Sequence, residues 1–334
     1  MIDKIDFVIT WVDGNDPEWQ KERNHYAVLD NREVDNSSAR YRDWDTLRYW
    51  FRGVEKFAPW VNNIFFVTCG HLPEWLSVNH PKLKIIKHSD YIPKEYLPTF
   101  NSNVIEFYFH RIPELSERFV YFNDDMFLID TVKPDRFFMK GLPCDMGEVG
   151  LKPDTDIFGC SVFLATDLIN KHFSPKDVLR KDFTKWCSLE YPMVKSLRNY
   201  LLMSKMGLFP RFVDGHLPQA HLKKVFSEVW KYCEKDLVRT SHNKFRSYGD
   251  VAFWLIRFWQ LVSGSFTPYR ILKDGSFYQT NDNNISKIAD CIRYKKKKLI
   301  CINDSDNLSN FTEYRRMIND AFDFILPEKS AFEY

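Results

Sequence analysis

The stretch that most constrains the fold is Arg118–Ile129, which reads R-F-V-Y-F-N-D-D-M-F-L-I. Its first part, Phe119–Phe122, is an unbroken aromatic and β-branched run that predicts a short buried strand. The strand ends at Asn123, Asp124 and Asp125. Because open α/β sheets bind ligands beyond the carboxyl ends of their strands, two carboxylates there suit a divalent cation that bridges to phosphate oxygens. An ordinary turn is the alternative, since Asn and Asp side chains also form turns.

Strand and helix patterns alternate before this stretch. Strands are predicted at Ile5–Val12, Ile64–Thr68 and Leu83–Lys87, helices at Leu47–Ala58 and Asn103–Ile112, and irregular structure at residues 20–40. Alternation of this kind is typical of a parallel sheet whose strands are joined by helices. The predicted fold class is therefore α/β: a Rossmann-like, mostly parallel sheet flanked by helices, with a mainly helical insertion.

We expect one domain made of three stretches. Residues 1–130 are predicted to form the α/β core, 131–215 the mainly helical insertion, and 216–334 the remainder of the core. Within the insertion, helices are expected near Pro175–Trp186 and Val194–Met206. Near the end of the chain, Leu299–Ile302 follows four lysines and is predicted to be an edge strand, because lysines discourage pairing at exposed edges.

Composition and charge exclude several classes of function. A net charge of +2 provides no field for nucleic acid, and an aromatic fraction of 16% suits a thick core or a sugar-binding cleft. Seven cysteines without a C-x-x-C spacing argue against a zinc ribbon or a disulfide scaffold. The chain enters a strand without a basic leader, and its most apolar run, Val251–Val262, contains Arg257 and Gln260. We therefore expect a cytoplasmic protein that is at most peripheral to a membrane.

Two polar residues lie where helices are predicted to start. Glu106 comes three residues after Asn103, so it either closes a capping box or presents a carboxylate beside the central strand. Arg246 precedes Ser247–Asp250, an S-x-x-D capping box for the predicted helix Val251–Val262. A guanidinium at that place can grip a phosphate bidentately, although a surface ion pair is the commoner role of Arg.

His216 is the third such residue. It precedes Pro218, which suits the first position of a predicted helix whose apolar face runs from Leu222 to Cys233. The positive end of a helix dipole favours an anion and lowers the pKa of an imidazole, so His216 would be neutral near pH 7 and able to accept a proton. A polar surface histidine in a loop is the alternative.

Polar residues also follow the first strand and precede the first predicted helix. Asp13 and Gly14 begin an acidic loop directly after the first strand, an arrangement that nucleotide-sugar sites use. The same pair also marks ordinary turns. Arg40 and Arg42 lie just before Leu47, where either guanidinium can reach a phosphate.

Four blocks of the chain carry long motifs. They are Ile5–Trp19, Arg40–Leu128 with Y-F-N-D-D-M-F, Gly215–Asp250 with H-x-P and T-S-H-N-K-F-R, and Leu299–Glu333 with C-I-N-D. In this order they resemble the Stealth family of sugar-phosphate transferases. That family includes bacterial capsule and exopolysaccharide phosphotransferases and the catalytic subunits of the animal GlcNAc-1-phosphotransferase. Residues 131–207 fall between the blocks and gain nothing from the resemblance.

The resemblance implies a reaction. A hexose-1-phosphate or N-acetylhexosamine-1-phosphate would move from a UDP-sugar, such as UDP-GlcNAc, to a sugar hydroxyl of a growing capsular or exopolysaccharide. A phosphodiester would form and UMP would leave. The acceptor would be an oligosaccharide or a lipid-linked glycan, and the protein would work in the cytoplasm, at the inner face of the membrane if it is peripheral.

The resemblance also implies roles for individual residues. Catalytic positions carry over to Asp125, His216, Arg246 and Glu106. We expect Asp125, with Asp124, to hold Mg²⁺ or Mn²⁺, and Arg246 to stabilise the transferred phosphoryl group. His216 is expected to be the general base, and Glu106 to orient the acceptor or the sugar. The expected nucleotide-sugar contacts are Trp11, Asp13, Gly14, Arg40, Asn103 and Asp124.

Two other functions remain open on the sequence. A nucleotide-sugar glycosyltransferase would attack the anomeric carbon, form an ordinary glycosidic bond and release UDP. A non-catalytic carbohydrate-binding protein would tolerate loss of the acidic and basic positions, all of which are present.

Overall fold

The computed structural model describes residues 4–30, 42–151, 157–306 and 308–334 and has a five-stranded sheet at its centre. The strands of the described residues are β1 (Ile5–Thr10), β2 (Ile64–Thr68), β3 (Leu83–Lys87), β4 (Arg118–Phe122), β5 (Met126–Leu128), β6 (Phe138–Met139), β7 (Leu142–Asp145), β8 (Gln219–Leu222), β9 (Thr267–Pro268), β10 (Gly275–Gln279) and β11 (Leu299–Asn303). The helices are α1 (Pro17–Leu29), α2 (Leu47–Phe57), α3 (Ser102–Phe107), α4 (Ile157–His172), α5 (Pro175–Lys181), α6 (Phe183–Trp186), α7 (Met193–Lys205), α8 (Lys223–Ser241), α9 (Trp254–Val262), α10 (Ile285–Arg293) and α11 (Phe311–Ile325).

The central sheet has the strand order β3-β2-β1-β4-β8. Strands β3, β2, β1 and β4 are parallel, and only the pairing of β4 with β8 is antiparallel. The apolar runs that predicted β1, β2 and β4 are almost wholly buried, as expected of strands covered by helices on both faces. The predicted α/β class with a mostly parallel, Rossmann-like sheet is confirmed.

Successive strands are first added on one side of β1 and then, after β3, on its other side. The chain moves outward from β1 to β2 and β3, and then returns to add β4 on the other side of β1. Ile9 pairs with Phe122, so the segments that follow these two strands leave the sheet side by side. A crevice at such a switch point is where open α/β sheets bind ligands.

A second sheet meets the first at Asp125. Strand β5 begins directly after this residue and pairs antiparallel with β11, in a sheet of order β10-β11-β5. Strand β11 is therefore central and buried, and the prediction of an edge strand at Leu299–Ile302 is wrong. The lysine run that suggested an edge precedes the strand and does not flank it in the sheet.

The stretch predicted as a mainly helical insertion contains α4 to α7, from Ile157 to Lys205. Its first part is not helical, because β6 and β7 form a small sheet with β9. Strand β9 lies beyond residue 215, so this part of the stretch packs with the remainder of the chain. The division into three stretches stays a prediction.

Helix α1 lies where the sequence was predicted to be irregular. Asp16 caps it by accepting hydrogen bonds from the backbone nitrogens of Glu18 at 2.8 Å and Trp19 at 2.9 Å, and Pro17 begins it. Only Arg23 and Ala27 of this helix are buried, so it lacks the apolar periodicity on which the prediction relied. None of the helices formed by the described residues has the length and hydropathy needed to cross a membrane.

Candidate active site

A cleft of about 1190 Å³ opens at the carboxyl ends of β1 and β4. Trp11 lines it from the end of β1, and Asp124 and Asp125 line it from the end of β4. Glu106 of α3 and Arg246 line the cleft as well. Asp304 from the last block also lines it, so the structure brings residues from all four sequence blocks into one cavity.

Asp125 lies at the junction of the two sheets. Its Oδ2 accepts a hydrogen bond from the side-chain amide of Asn303 at 3.2 Å, and its backbone carbonyl accepts one from Ile302 at 2.9 Å. Its Oδ1 is buried and accepts no hydrogen bond from any residue that the structure describes. An orphaned carboxylate oxygen is costly unless a cation or water completes it. The carboxylate is thus suited to hold a cation.

Asp125, His216 and Cys301 converge at this point. One ligand atom from each lies within 4.8 Å of the other two. Among the described residues, His216 and Cys301 form with Asp125 a group of three such side chains that could share one cation. Asp124 is not a member of this group, although the sequence paired it with Asp125.

Asp124 is exposed to the cleft, and protein surrounds the cleft on several sides. Desolvation in this setting, and secondly the negative charge of Asp125, raise the pKa of Asp124 to about 7. Two neighbouring carboxylates resist ionising together, which makes a cation between or beside them favourable. This second carboxylate is therefore also compatible with a cation.

Glu106 is buried on the wall of the cleft, where its Oε1 accepts a hydrogen bond from the hydroxyl of Tyr121 at 2.9 Å. Burial raises its pKa to about 7, against the opposing positive charge of Arg246. The capping-box interpretation is wrong, because Asn101 caps α3. A carboxylic acid with a pKa near neutrality is suited to give or take a proton at physiological pH.

Asn103 is a buried residue in the first turn of α3, and its side chain is hydrogen-bonded to the backbone of a distant segment. Its Oδ1 accepts a hydrogen bond from the backbone nitrogen of Phe253 at 3.0 Å. The neighbouring Asn101 donates to Oδ2 of Asp250 at 2.8 Å. Both bonds tie α3 to the segment that carries Arg246. Asn103 does not line the cleft.

Arg246 projects from a loop and not from a helix start. Helix α9 begins at Trp254, and Asp250 is buried, where it accepts hydrogen bonds from Asn243 at 2.6 Å and from the backbone of Ser247 at 2.9 Å. The predicted capping box is thus a turn that stabilises the loop. The guanidinium of Arg246 donates to Ser102 and is exposed to the cleft, where its charge acts on Glu106.

His216 does not precede a helix either. The residues after Pro218 form β8, and α8 starts only at Lys223. Burial lowers the pKa of His216, but the hydrogen bond and charge of Asp214, followed by the charges of Asp125 and Glu106, outweigh it, so the pKa is raised. Nδ1 lies 3.6 Å from Oδ2 of Asp214. The expectation of a lowered pKa for His216 is therefore wrong.

The predicted nucleotide-sugar contacts after β1 separate into two groups. Trp11 lines the cleft and packs against His71, with ring centroids 5.2 Å apart. The backbone of Asp13 donates to Nε2 of His71 at 2.7 Å, and the carbonyl of Gly14 accepts from Gln20 at 2.7 Å. Asp13 and Gly14 form the turn into α1 and do not line the cleft.

Arg40 lies outside the described residues, whereas Arg42 lines the cleft. The Arg42 guanidinium binds Asp304 bidentately, at 2.5 and 2.6 Å. Asn303 ends β11 and Asp304 follows it, much as Asp124 comes shortly after the end of β4. Asp304 was not predicted as a site residue. The motif C-I-N-D nevertheless places Asn and Asp directly after a strand pattern, as the central stretch does.

An aromatic wall, formed by Trp19, Phe100, Phe245 and Tyr248, also lines the cleft. The rings of Phe100 and Phe245 are stacked at 5.1 Å, and Trp19 meets Phe100 edge to face at 5.8 Å. Flat ring faces in a cleft offer an apolar platform to a partly apolar ligand. The sequence indicated this wall only through its overall aromatic content.

Comparison with known proteins decides the family. Stealth protein CR1, conserved region 1, matches residues 3–27, and Stealth protein CR2, conserved region 2, matches residues 40–144. A capsular polysaccharide phosphotransferase WcwK of Streptococcus pneumoniae is 43% identical over 333 residues, covering 100% of both chains. The chain belongs to the Stealth family.

Other relatives extend the Stealth match to further species. The receptor polysaccharide phosphotransferase WefC of Streptococcus gordonii is 39% identical over 100% of both chains. The exopolysaccharide phosphotransferase cps2G of Lactiplantibacillus plantarum is 38% identical over 98% of this chain and 96% of its own length. The family resemblance drawn from the four blocks is confirmed, and this Stealth protein is a transferase.

Proposed function

We propose that this Stealth protein transfers a hexose-1-phosphate or N-acetylhexosamine-1-phosphate from a UDP-sugar to a sugar hydroxyl of a growing capsular or exopolysaccharide. The acceptor oxygen forms a bond to the phosphorus that carries the sugar. The bond from that phosphorus to the bridging oxygen breaks, and UMP leaves with this oxygen. The observation that supports the proposal most directly is that Asp125, Glu106 and Arg246 line one cleft, with His216 grouped beside Asp125.

A divalent cation fits the acidic end of this cleft. Asp125 and Asp124 would hold it, since Mg²⁺ and Mn²⁺ prefer carboxylate oxygens and Oδ1 of Asp125 lacks a partner among the described residues. When bound, the cation neutralises charge on the diphosphate. The identity of the metal as Mg²⁺ or Mn²⁺ is part of the proposal.

The pKa values favour Glu106 as the general base. Its pKa of about 7 leaves about half of it ionised near neutrality and more at higher pH, so that a basic oxygen is available to the acceptor hydroxyl. The raised pKa of His216 favours its protonated form, which is suited to bind an anionic phosphate. This assignment differs from the roles that the sequence suggested, in which His216 was the general base and Glu106 oriented the acceptor or the sugar.

Arg246 supplies a positive charge at the cleft. Its guanidinium reaches the cleft from a loop fixed by buried Asp250, so it is held without being part of a helix. It would stabilise the negative charge that develops on the transferred phosphoryl group, because positioned charges act strongly in a desolvated site. Trp11 and Asp124 remain the proposed nucleotide-sugar contacts that line the cleft.

The aromatic wall is the proposed place for the acceptor sugar. Phe100, Phe245 and Trp19 line the same cavity as Glu106, and a pyranose ring can pack its C–H face against an aromatic ring. The acceptor would be an oligosaccharide or a lipid-linked glycan. We further propose that the protein works in the cytoplasm, at the inner face of the membrane.

The identity of the leaving group tests the proposal. The purified protein is incubated with a panel of UDP-sugars, Mg²⁺ and acceptor glycan, and UMP and UDP are separated by anion exchange. The proposal expects UMP, with phosphorus retained in the glycan. UDP and a phosphorus-free glycoside would show the alternative function, a glycosyltransferase forming an ordinary glycosidic bond. The Asp125→Asn variant is the control for contaminating hydrolases.

A further inference from the structure

Helix α7 exposes an apolar face that nothing in the described part of the chain covers. Its exposed large side chains are Met193, Val194, Leu197, Tyr200 and Leu201, with exposures of 84%, 71%, 55%, 46% and 42%. Their spacing of one, four, seven and eight residues from Met193 places them on one side of a helix. We call these five residues the α7 face. A contiguous apolar patch of this kind marks an interaction site.

The opposite side of α7 is hydrogen-bonded to the rest of the protein. These bonds fix which face of the helix points outward. Asn199 is fully buried and donates to the carbonyls of Gly147 at 2.7 Å and Trp186 at 2.8 Å. It also accepts from the backbone nitrogen of Val149 at 2.9 Å. Met203, one turn further on, is buried as well. The helix therefore cannot turn its apolar face inward without breaking these bonds.

Neighbouring segments extend the apolar surface. The ring of Phe183, which is half exposed, lies with its centroid 6.4 Å from that of Tyr200. Ser196 donates to the carbonyl of Ser188 at 3.0 Å, which holds the fully exposed Leu189 beside the start of α7. The surface is thus formed by more than one element of the fold.

The segment that carries this surface is strongly basic. Pro175–Arg211 contains eight Lys and Arg residues and three Asp and Glu residues, a net formal charge of +5, while the whole chain has +2. Some of this charge is paired, since Lys195 and Arg198 both bind Glu148. Arg180 and Lys185 are also paired, with Asp177 and Asp182, and with Glu148 included the segment keeps a net formal charge of +4.

We propose that the α7 face docks on an anionic lipid surface. Apolar side chains bordered by Lys and Arg are the combination that lies in the interface of a membrane with acidic headgroups. Two copies of the basic segment would repel each other, which argues against self-association through this face. The inference depends on the proposed function only in its purpose, which would be to bring the enzyme to a lipid-linked acceptor.

Flotation with liposomes tests the proposal. Wild-type protein is mixed with vesicles of phosphatidylcholine containing about one third phosphatidylglycerol, or with phosphatidylcholine alone. We expect flotation with the anionic vesicles, weaker flotation with the neutral ones and a decline as salt is added. The double variant Leu197→Gln, Leu201→Gln should bind at least about tenfold more weakly, because it removes apolar area from the face.

Phe324→Gln is the matched control, because Phe324 is 67% exposed on α11 and lies outside the basic segment. It should float like the wild type. Both substitutions replace exposed residues, and circular dichroism will confirm that the variants are folded. UMP release with a soluble acceptor, measured without vesicles, should be the same in all three proteins, so this assay reports separately on the proposed function.

Three results would overturn the docking proposal. The wild type could fail to float, or the double variant could float as well as the wild type. Alternatively, light scattering could show a wild-type dimer that the double variant disrupts while neither protein binds vesicles, which would assign the α7 face to an interface between copies.

Discussion

Replacing Glu106 with Gln should abolish activity and, at the same time, stabilise the folded protein at alkaline pH. Gln has the shape of the protonated carboxyl group and can still accept the hydrogen bond from Tyr121. It cannot ionise, so it removes the cost of placing a negative charge in a buried position.

The magnitude follows from the pKa of Glu106, which burial raises from 4.5 to about 7. A raised carboxyl pKa contributes stability that is complete below the unfolded pKa and is lost as pH rises through the folded pKa. Each pH unit between the two corresponds to about 1.4 kcal/mol, so the wild type loses about 3 kcal/mol relative to the variant at pH 8. The difference should shrink to about 1 kcal/mol or less at pH 5.

Urea unfolding at the two pH values measures this difference. Wild type and variant are compared at each pH in the presence of a chelator, so that other titrating groups cancel and no cation binds. Glu95→Gln is the matched control, because Glu95 is exposed and its replacement should leave stability unchanged at both pH values. An equal stability difference at pH 5 and pH 8, or destabilisation of the Glu106 variant at pH 8, would refute the reasoning.

Three further substitutions test other parts of the structure. Asp125→Asn should lower UMP release by roughly a hundredfold or more, because loss of one positioned charge costs about 3 kcal/mol of transition-state stabilisation. Unchanged activity would exclude a role for this carboxylate. His216→Ala should reduce the rate yet keep the rise of rate with pH that is due to Glu106; a flat profile would return the general base to His216. Arg257→Met should lower the free energy of unfolding by about 3–5 kcal/mol, measured in urea, because it leaves Asp145 buried without the guanidinium that binds it at 2.8 Å.

The central sheet and the acidic strand end could be predicted because their signals are local. Runs such as Phe119–Phe122 are buried on both faces, and the polar residues that follow them must emerge at the same edge of a parallel sheet. Asp125 was therefore found from the sequence. Its partner Cys301 was not, because the pairing of β5 with β11 joins residues more than 170 positions apart.

The predictions of helix starts at Pro218 and at Ser247–Asp250 were wrong for a different reason. The apolar face of α8 was extended backward to Pro218, although Gln219–Leu222 adds an antiparallel strand to β4. Pairing with a distant strand overrode the local helix signal. Asp250 likewise had the spacing of a cap, but its carboxylate is occupied by Asn101 and Asn243, which only the folded chain brings near.

The hydrogen bonds from Asn101 to Asp250 and from Phe253 to Asn103 have a consequence for how the protein can diversify. They join the walls of the cleft directly, across about 150 intervening residues. Helices α4 to α7 lie within that interval and outside these bonds. Their sequences can therefore change among relatives, and adapt to new glycans or surfaces, while the reacting groups keep their positions.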